Sequence, residues 1–171
     1  MKQVIIADSS ALFSLLIDTD NNYRKAVKIK EQYLKQGGLI VVPSEIFSEL
    51  INILGKKFNH KAAVWAAKAV LGSKTFTIEN TSESARNTAL EKFKNQPKKV
   101  SFTDCLVMAY ADFYETREIF GFDEILNTVK LIGVSDNAHD LHRHAVDDAT
   151  MSIPAFVRHV SPCGRRIKGV I

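Results

Sequence analysis

A chain of 171 residues with 46% hydrophobic and 25% charged residues is long enough to bury a core without staples. Its two cysteines, Cys105 and Cys163, exclude a disulfide framework, and no apolar run reaches the roughly 18 residues of a membrane span. The net charge of +4 is compatible with a nucleic-acid partner, although many proteins without one carry as much. The apolar run at the N-terminus is too short for a signal peptide, so the chain reads as cytoplasmic, with no membrane partner.

In chain order, VIIA (4–7) is a β-branched run expected to form a buried central strand. Asp8 or Ser9 can cap the helix that begins with ALFSLL. Residues 22–35 have helical spacing and end at Gly37-Gly38. LIVV (39–42) reads as a second strand. Pro43-Ser44 then opens a helix at Glu45, with Ser44 as its cap and Ile46, Leu50, Ile53 and Leu54 on one stripe. An Ala-rich helix is expected from His60 to Leu71, closed by Gly72, followed by a strand TFTI (75–78) and a helix over 82–93. NQPKK (95–99) is a basic loop.

VSFTDCLVMAYA (100–111) opens a helix, from about Thr103 to Glu115, expected to be buried nearly all round, with Cys105, Met108, Phe113 and Tyr114 in the core. EIFGF (118–122) and VKLIGV (129–134) complete five strands. Strands alternating with helices predict an α/β fold with a parallel sheet covered on both faces. The pattern fails after Val134, so residues 1–136 read as one domain and 137–171 as a C-terminal extension. The histidines of HDLHRH (139–144) lie in that extension and read as solvated rather than as metal ligands.

Four carboxylates stand out. Asp8 and Asp123 follow strands, and ligands of open α/β sheets sit outside the carboxyl ends of strands. Asp104 begins the apolar helix, and Glu49 lies beside its helix's apolar stripe. Each also has a local explanation. Asp8 can be a cap, and Asp104 can close a capping box with Ser101. Glu49 can be solvated beside the like charge of Glu45, and Asp123 can belong to a turn. Together they could converge on one sheet edge. Four carboxylates there would repel one another unless hard cations such as Mg²⁺ or Mn²⁺ compensate them. Such a site suits phosphodiester chemistry. Lys98 and Lys99, with Lys56 and Lys57, are candidate phosphate contacts, weighed against an ordinary solvated surface.

The segments VIIADSSAL (4–12), PSEIFSELINIL (43–54), SFTDCLVMAYA (101–111) and IFGFDEIL (119–126) resemble, in order and spacing, the PIN domain, and in particular the VapC-type toxin ribonucleases of toxin–antitoxin pairs. The resemblance implies a five-stranded, mostly parallel sheet flanked by helices. It implies an acidic quartet of Asp8, Glu49, Asp104 and Asp123 serving as catalytic and metal-binding residues, with a supporting hydroxyl from Ser10. Glu49, rather than Glu45, matches the family position. Also implied are Mg²⁺ or Mn²⁺ dependence, RNA cleavage, homodimerisation and neutralisation by a cognate antitoxin protein. Gly121 departs from the pattern, because many relatives carry Thr or Ser there. Two other readings compete. One is a haloacid-dehalogenase-type phosphotransfer enzyme, although its D-x-D motif would need an acid where Ser10 stands. The other is a receiver-like or PIN-like module that binds RNA or protein without cutting.

Overall fold

The computed structural model describes residues 3–122. Strand β1 (Val4–Ala7) leads through α1 (Ser9–Leu16) and α2 (Tyr23–Lys35) to β2 (Leu39–Pro43). Helices α3 (Ser44–Lys57) and α4 (His60–Gly72) connect β2 to β3 (Phe76–Glu79). Helices α5 (Glu83–Lys94) and α6 (Phe102–Phe113) then lead to β4 (Ile119–Phe120). The expected fifth strand, VKLIGV, lies outside the described residues, as do Asp123, Cys163 and the histidine-rich segment.

All pairings are parallel, and the strand order is β3-β2-β1-β4. Ile6 pairs with Val41 on one side and Ile119 on the other. Right-handed crossovers dictate which helices cover which face. The connections β1→β2 and β2→β3 step the same way, so α1 to α4 share a face. The connection β3→β4 returns the other way and puts α5 and α6 opposite. The packing agrees: α1 contacts α2 and α3, α3 contacts α4, and α5 packs on α6. Both faces are therefore covered, which explains why Ile6, Ala7, Ile40, Val41 and Val42 are fully buried.

Several helix ends differ from the sequence expectation. Ser44 is the first residue of α3 rather than its cap, and its hydroxyl donates to the Glu45 carboxylate at 2.8 Å. Gly72 belongs to α4, whose start is capped by Asn59. Ser82 caps α5. Gly37 ends α2 as anticipated, and its φ of 71° is one that glycine adopts without a Cβ penalty. Helix α6 is less enclosed than its composition suggests. Cys105, Leu106, Val107 and Tyr110 are buried and Met108 packs on the core, but Phe113 is 76% exposed. Phe113 is the last residue of α6, and its ring meets that of Tyr114 edge-to-face at 5.3 Å rather than entering the core.

Tyr110 of α6 and Tyr114 just after it tie that helix to the end of β3 and the residues that follow. The Tyr110 hydroxyl donates to the Thr81 hydroxyl at 3.3 Å, and Thr81 donates to the Glu45 carboxylate. Tyr114 donates to the Glu79 carboxylate. Burial, and then the Glu79 carboxylate, push the Tyr114 phenol up to about 12 from 10.0. Between these values the native phenol holds a proton that the unfolded chain has lost, so this stabilisation is complete below pH 10 and declines as pH rises toward 12. Tyr114→Phe should flatten that alkaline decline in a urea-unfolding series run at several pH values. An unchanged slope would mean that the phenol does not contribute.

Candidate functional site

The strand order has a switch point between β1 and β4, where the chain first steps to one side of β1 and finally returns on the other. Carboxyl ends of strands at such a point form a crevice. Asp8, directly after β1, stands at its mouth and is only 2% exposed. It caps α1 by accepting from the Ser10 backbone N–H at 3.2 Å and the Ser10 hydroxyl at 2.8 Å. The Ser10 hydroxyl in turn accepts from the Phe122 N–H at 2.9 Å. One serine thus holds both the Asp8 carboxylate and the chain leaving β4. The next residue, Asp123, lies outside the described residues.

Asp104 is fixed by the capping box that its spacing from Ser101 suggested. The Ser101 backbone N–H and hydroxyl donate to its Oδ2 at 2.7 and 2.8 Å, and its own N–H donates to the Ser101 hydroxyl at 3.1 Å. These bonds converge on one oxygen. The Oδ1 atom accepts no hydrogen bond among the described residues.

Glu49 connects the two aspartates. Burial raises its pKa first, and the negative charges of Asp8 and Asp104 raise it further. The hydroxyls of Ser9 and Thr103 offset part of this. Three carboxylates from the end of β1, from α3 and from the start of α6 therefore share one electrostatic field. Glu45, one turn earlier, behaves differently. Burial pushes its carboxyl up, but hydrogen bonds from Thr81 and Ser44 and the Arg86 guanidinium at 3.4 Å bring it below the usual value. Glu45 is thus spoken for by the protein, whereas Glu49 faces charges of its own sign.

Oxygen-only donors of like charge brought close together fit a hard divalent cation. The described carboxylates do not close a cage of three or more metal-ligating side chains by themselves. A cleft of about 590 Å³ opens beside Glu49, lined by Ser44, Glu45, Ser48, Asn52, Ile53, Lys56 and Thr103. Ile53, expected on the buried stripe, is half-buried and lines this cleft, while Ile46, Leu50 and Leu54 carry the core contact. Thr103 and Asn52 were not singled out from the sequence, and Ser9 only as a possible helix cap. Thr103 had a signal, because it adjoins Asp104 in the first turn of α6. Lys98 and Lys99 are exposed and line no part of the cleft.

A parallel α/β layer with carboxylates near its switch point defines an α/β protein with a ligand crevice outside the carboxyl ends of its strands. The chain belongs to the PIN domain family, whose model matches residues 5–131. That membership removes the haloacid-dehalogenase alternative. Among solved structures, the chain is similar to the Mycobacterium tuberculosis toxin VapC20, described as cleaving the sarcin-ricin loop. The two share a fold with a TM-score of 0.64 at 19% identity, over 75% of this chain and 96% of the toxin. No curated protein sequence matches this one. Among the described residues, no helix is long and apolar enough to cross a membrane.

Proposed function

We propose that this protein is a metal-dependent endoribonuclease that hydrolyses RNA phosphodiester bonds, acting as the toxin of a toxin–antitoxin pair. The observation that carries the reading is that a chain matching the PIN family over residues 5–131 brings Asp8, Glu49 and Asp104 close enough to act on one another's charge. A protein gains no stability from holding like charges together, so the arrangement points to a cationic ligand. Mg²⁺ or Mn²⁺ would be held by Asp8, Glu49 and Asp104, with Asp123 as the fourth carboxylate. When bound, such an ion supplies water activation and charge neutralisation at the phosphate.

The chain's own residues orient the site. Ser10 holds the Asp8 carboxylate, and Ser101 holds Oδ2 of Asp104, so neither acid must be ordered during the reaction. Glu49, beside both aspartates, is placed to bind the ion or to orient a water. The similarity to a toxin that cleaves RNA supports RNA as substrate. A homodimer and a cognate antitoxin covering the cleft belong to the same proposal.

The test is cleavage of a mixed RNA panel by purified protein with Mn²⁺ or Mg²⁺, beside an EDTA control and an Asp104→Asn variant. Cleavage that needs the metal and disappears in the variant is expected. RNA binding without any metal-dependent product would instead favour a non-cutting PIN module.

A further inference from the structure

Helix α3 carries Ser44, Ser48, Asn52 and Lys56 at intervals of four, and all four line the cleft beside Glu49. Residues four apart lie on one helical face. This face is set apart from Ile46, Leu50 and Leu54, which turn into the core. Thr103 of α6 contributes to the lining, and half-buried Ile53 adds an apolar patch one turn beyond Glu49. The result is a polar groove that starts at the carboxylates and runs toward the C-terminal end of α3.

The charges along the groove are graded. Glu45 is paired with Arg86 at 3.4 Å. Glu49 belongs to the carboxylate site. Lys56 supplies positive charge at the far end, where α3 finishes. The adjacent Lys57 is turned elsewhere, its ammonium 4.4 Å from the centre of the Phe13 ring. Lys56 follows Glu49 by seven residues, about 10.5 Å along the helix axis at ~1.5 Å per residue. A stacked strand advances ~3.4 Å per nucleotide, so about three nucleotides separate the two positions.

We propose that this face of α3 is the track for the single-stranded RNA that flanks the scissile bond. In it Lys56 binds a backbone phosphate about three nucleotides from the cleavage site, and Asn52 contacts a base edge between them. This inference rests on the nuclease reading above. The assignment of roles follows from the groups. A primary amide offers both donors and an acceptor, and so can discriminate bases. An ammonium is a point charge that neutralises phosphate whatever the sequence. Ser48 is a weaker reader, because its hydroxyl already donates to the Ser44 carbonyl at 3.0 Å. Ile53 offers a surface against which a base can lie.

Two readouts test this. The first is binding of a fluorescein-labelled, random-sequence single-stranded RNA to the full chain carrying Asp104→Asn, across a salt series. Lys56→Ala should reduce the slope of log K against log salt by about 0.7, the value for one phosphate contact on a single strand. Lys68→Ala, a charge-matched change at an exposed position of α4 outside the cleft, should leave the slope unchanged. The second readout is the sequence distribution of products from the otherwise native protein. Asn52→Ala should broaden the preference at one position flanking the cut while cleavage remains metal-dependent. Ser48, Asn52 and Lys56 are all exposed, so these variants should fold. If the native protein binds and cleaves RNA but both variants match it, the track is wrong while the nuclease reading stands, and the groove is left to a protein partner. If the native protein neither binds nor cleaves RNA, both readings fall.

Discussion

Asp8→Asn is expected to lower metal-dependent RNA cleavage by at least about 100-fold while leaving the fold intact. The lower bound follows from metal sites in general, where losing an outer partner of a ligand already costs ~10–100-fold. This substitution separates the two explanations of Asp8. Asn caps a helix about as well as Asp, so the bonds from the Ser10 N–H and hydroxyl can persist. What disappears is the charge. If Asp8 served only as a cap, activity would survive, and full activity would refute its role in the site. A second readout is the melting temperature with and without Mn²⁺. A ligand at 100 times its Kd adds about 2.7 kcal/mol, or roughly 5–10 °C for a chain of this size. Asp8→Asn should remove most of that rise.

The second large effect separates two neighbouring residues of α3. Leu50 is fully buried and packs in the main core. Leu50→Ala should cost about 2–5 kcal/mol, since it removes buried methyl groups and leaves a cavity. Glu49→Gln should act in the opposite direction in the absence of metal. Its folded pKa is raised, so its favourable contribution is complete below the unfolded value of 4.5 and is lost as pH rises through the folded value. At neutral pH the native carboxylate is therefore a burden on the metal-free fold, and the amide relieves it. Chemical denaturation at pH 7 in EDTA should show Leu50→Ala less stable and Glu49→Gln more stable than the native chain. A destabilised Glu49→Gln protein would mean that the three carboxylates do not repel as described. Added metal should stabilise the native chain and not Glu49→Gln, which is also expected to be inactive. This inversion is the usual mark of a residue kept for function at some expense to stability.

Much of this architecture is legible in the chain because it depends on neighbours in sequence. VIIA and LIVV are β-branched runs, the first between Gln3 and Asp8 and the second between Gly38 and Pro43, and they form the strands buried on both faces. The spacing of Ser101 and Asp104 specifies a capping box that needs nothing outside one turn of helix. The short stretch from Asp8 to Ser10 likewise contains its own hydrogen bonds. These are local decisions of backbone and period, and the motifs resembling the PIN family rest on them.

The selection among similar residues is not local. Glu45 and Glu49 sit one turn apart on the same helix, yet Arg86 and Thr81 from a distant segment claim the first. Asp8 and Asp104 act on the second. Lys56 and Lys57 are adjacent, but the Phe13 ring of α1 holds only Lys57. Phe113 has the hydrophobicity of a core residue and lies in solvent at the last residue of α6. Sequence by itself determined the described strands, the order of the helices and the local caps at Asp8 and Ser101. Tertiary structure alone decided which acids act on one another, because the strand order and right-handed crossovers bring the end of β1, the middle of α3 and the start of α6 near one edge, where Asp8 and Asp104 act on Glu49.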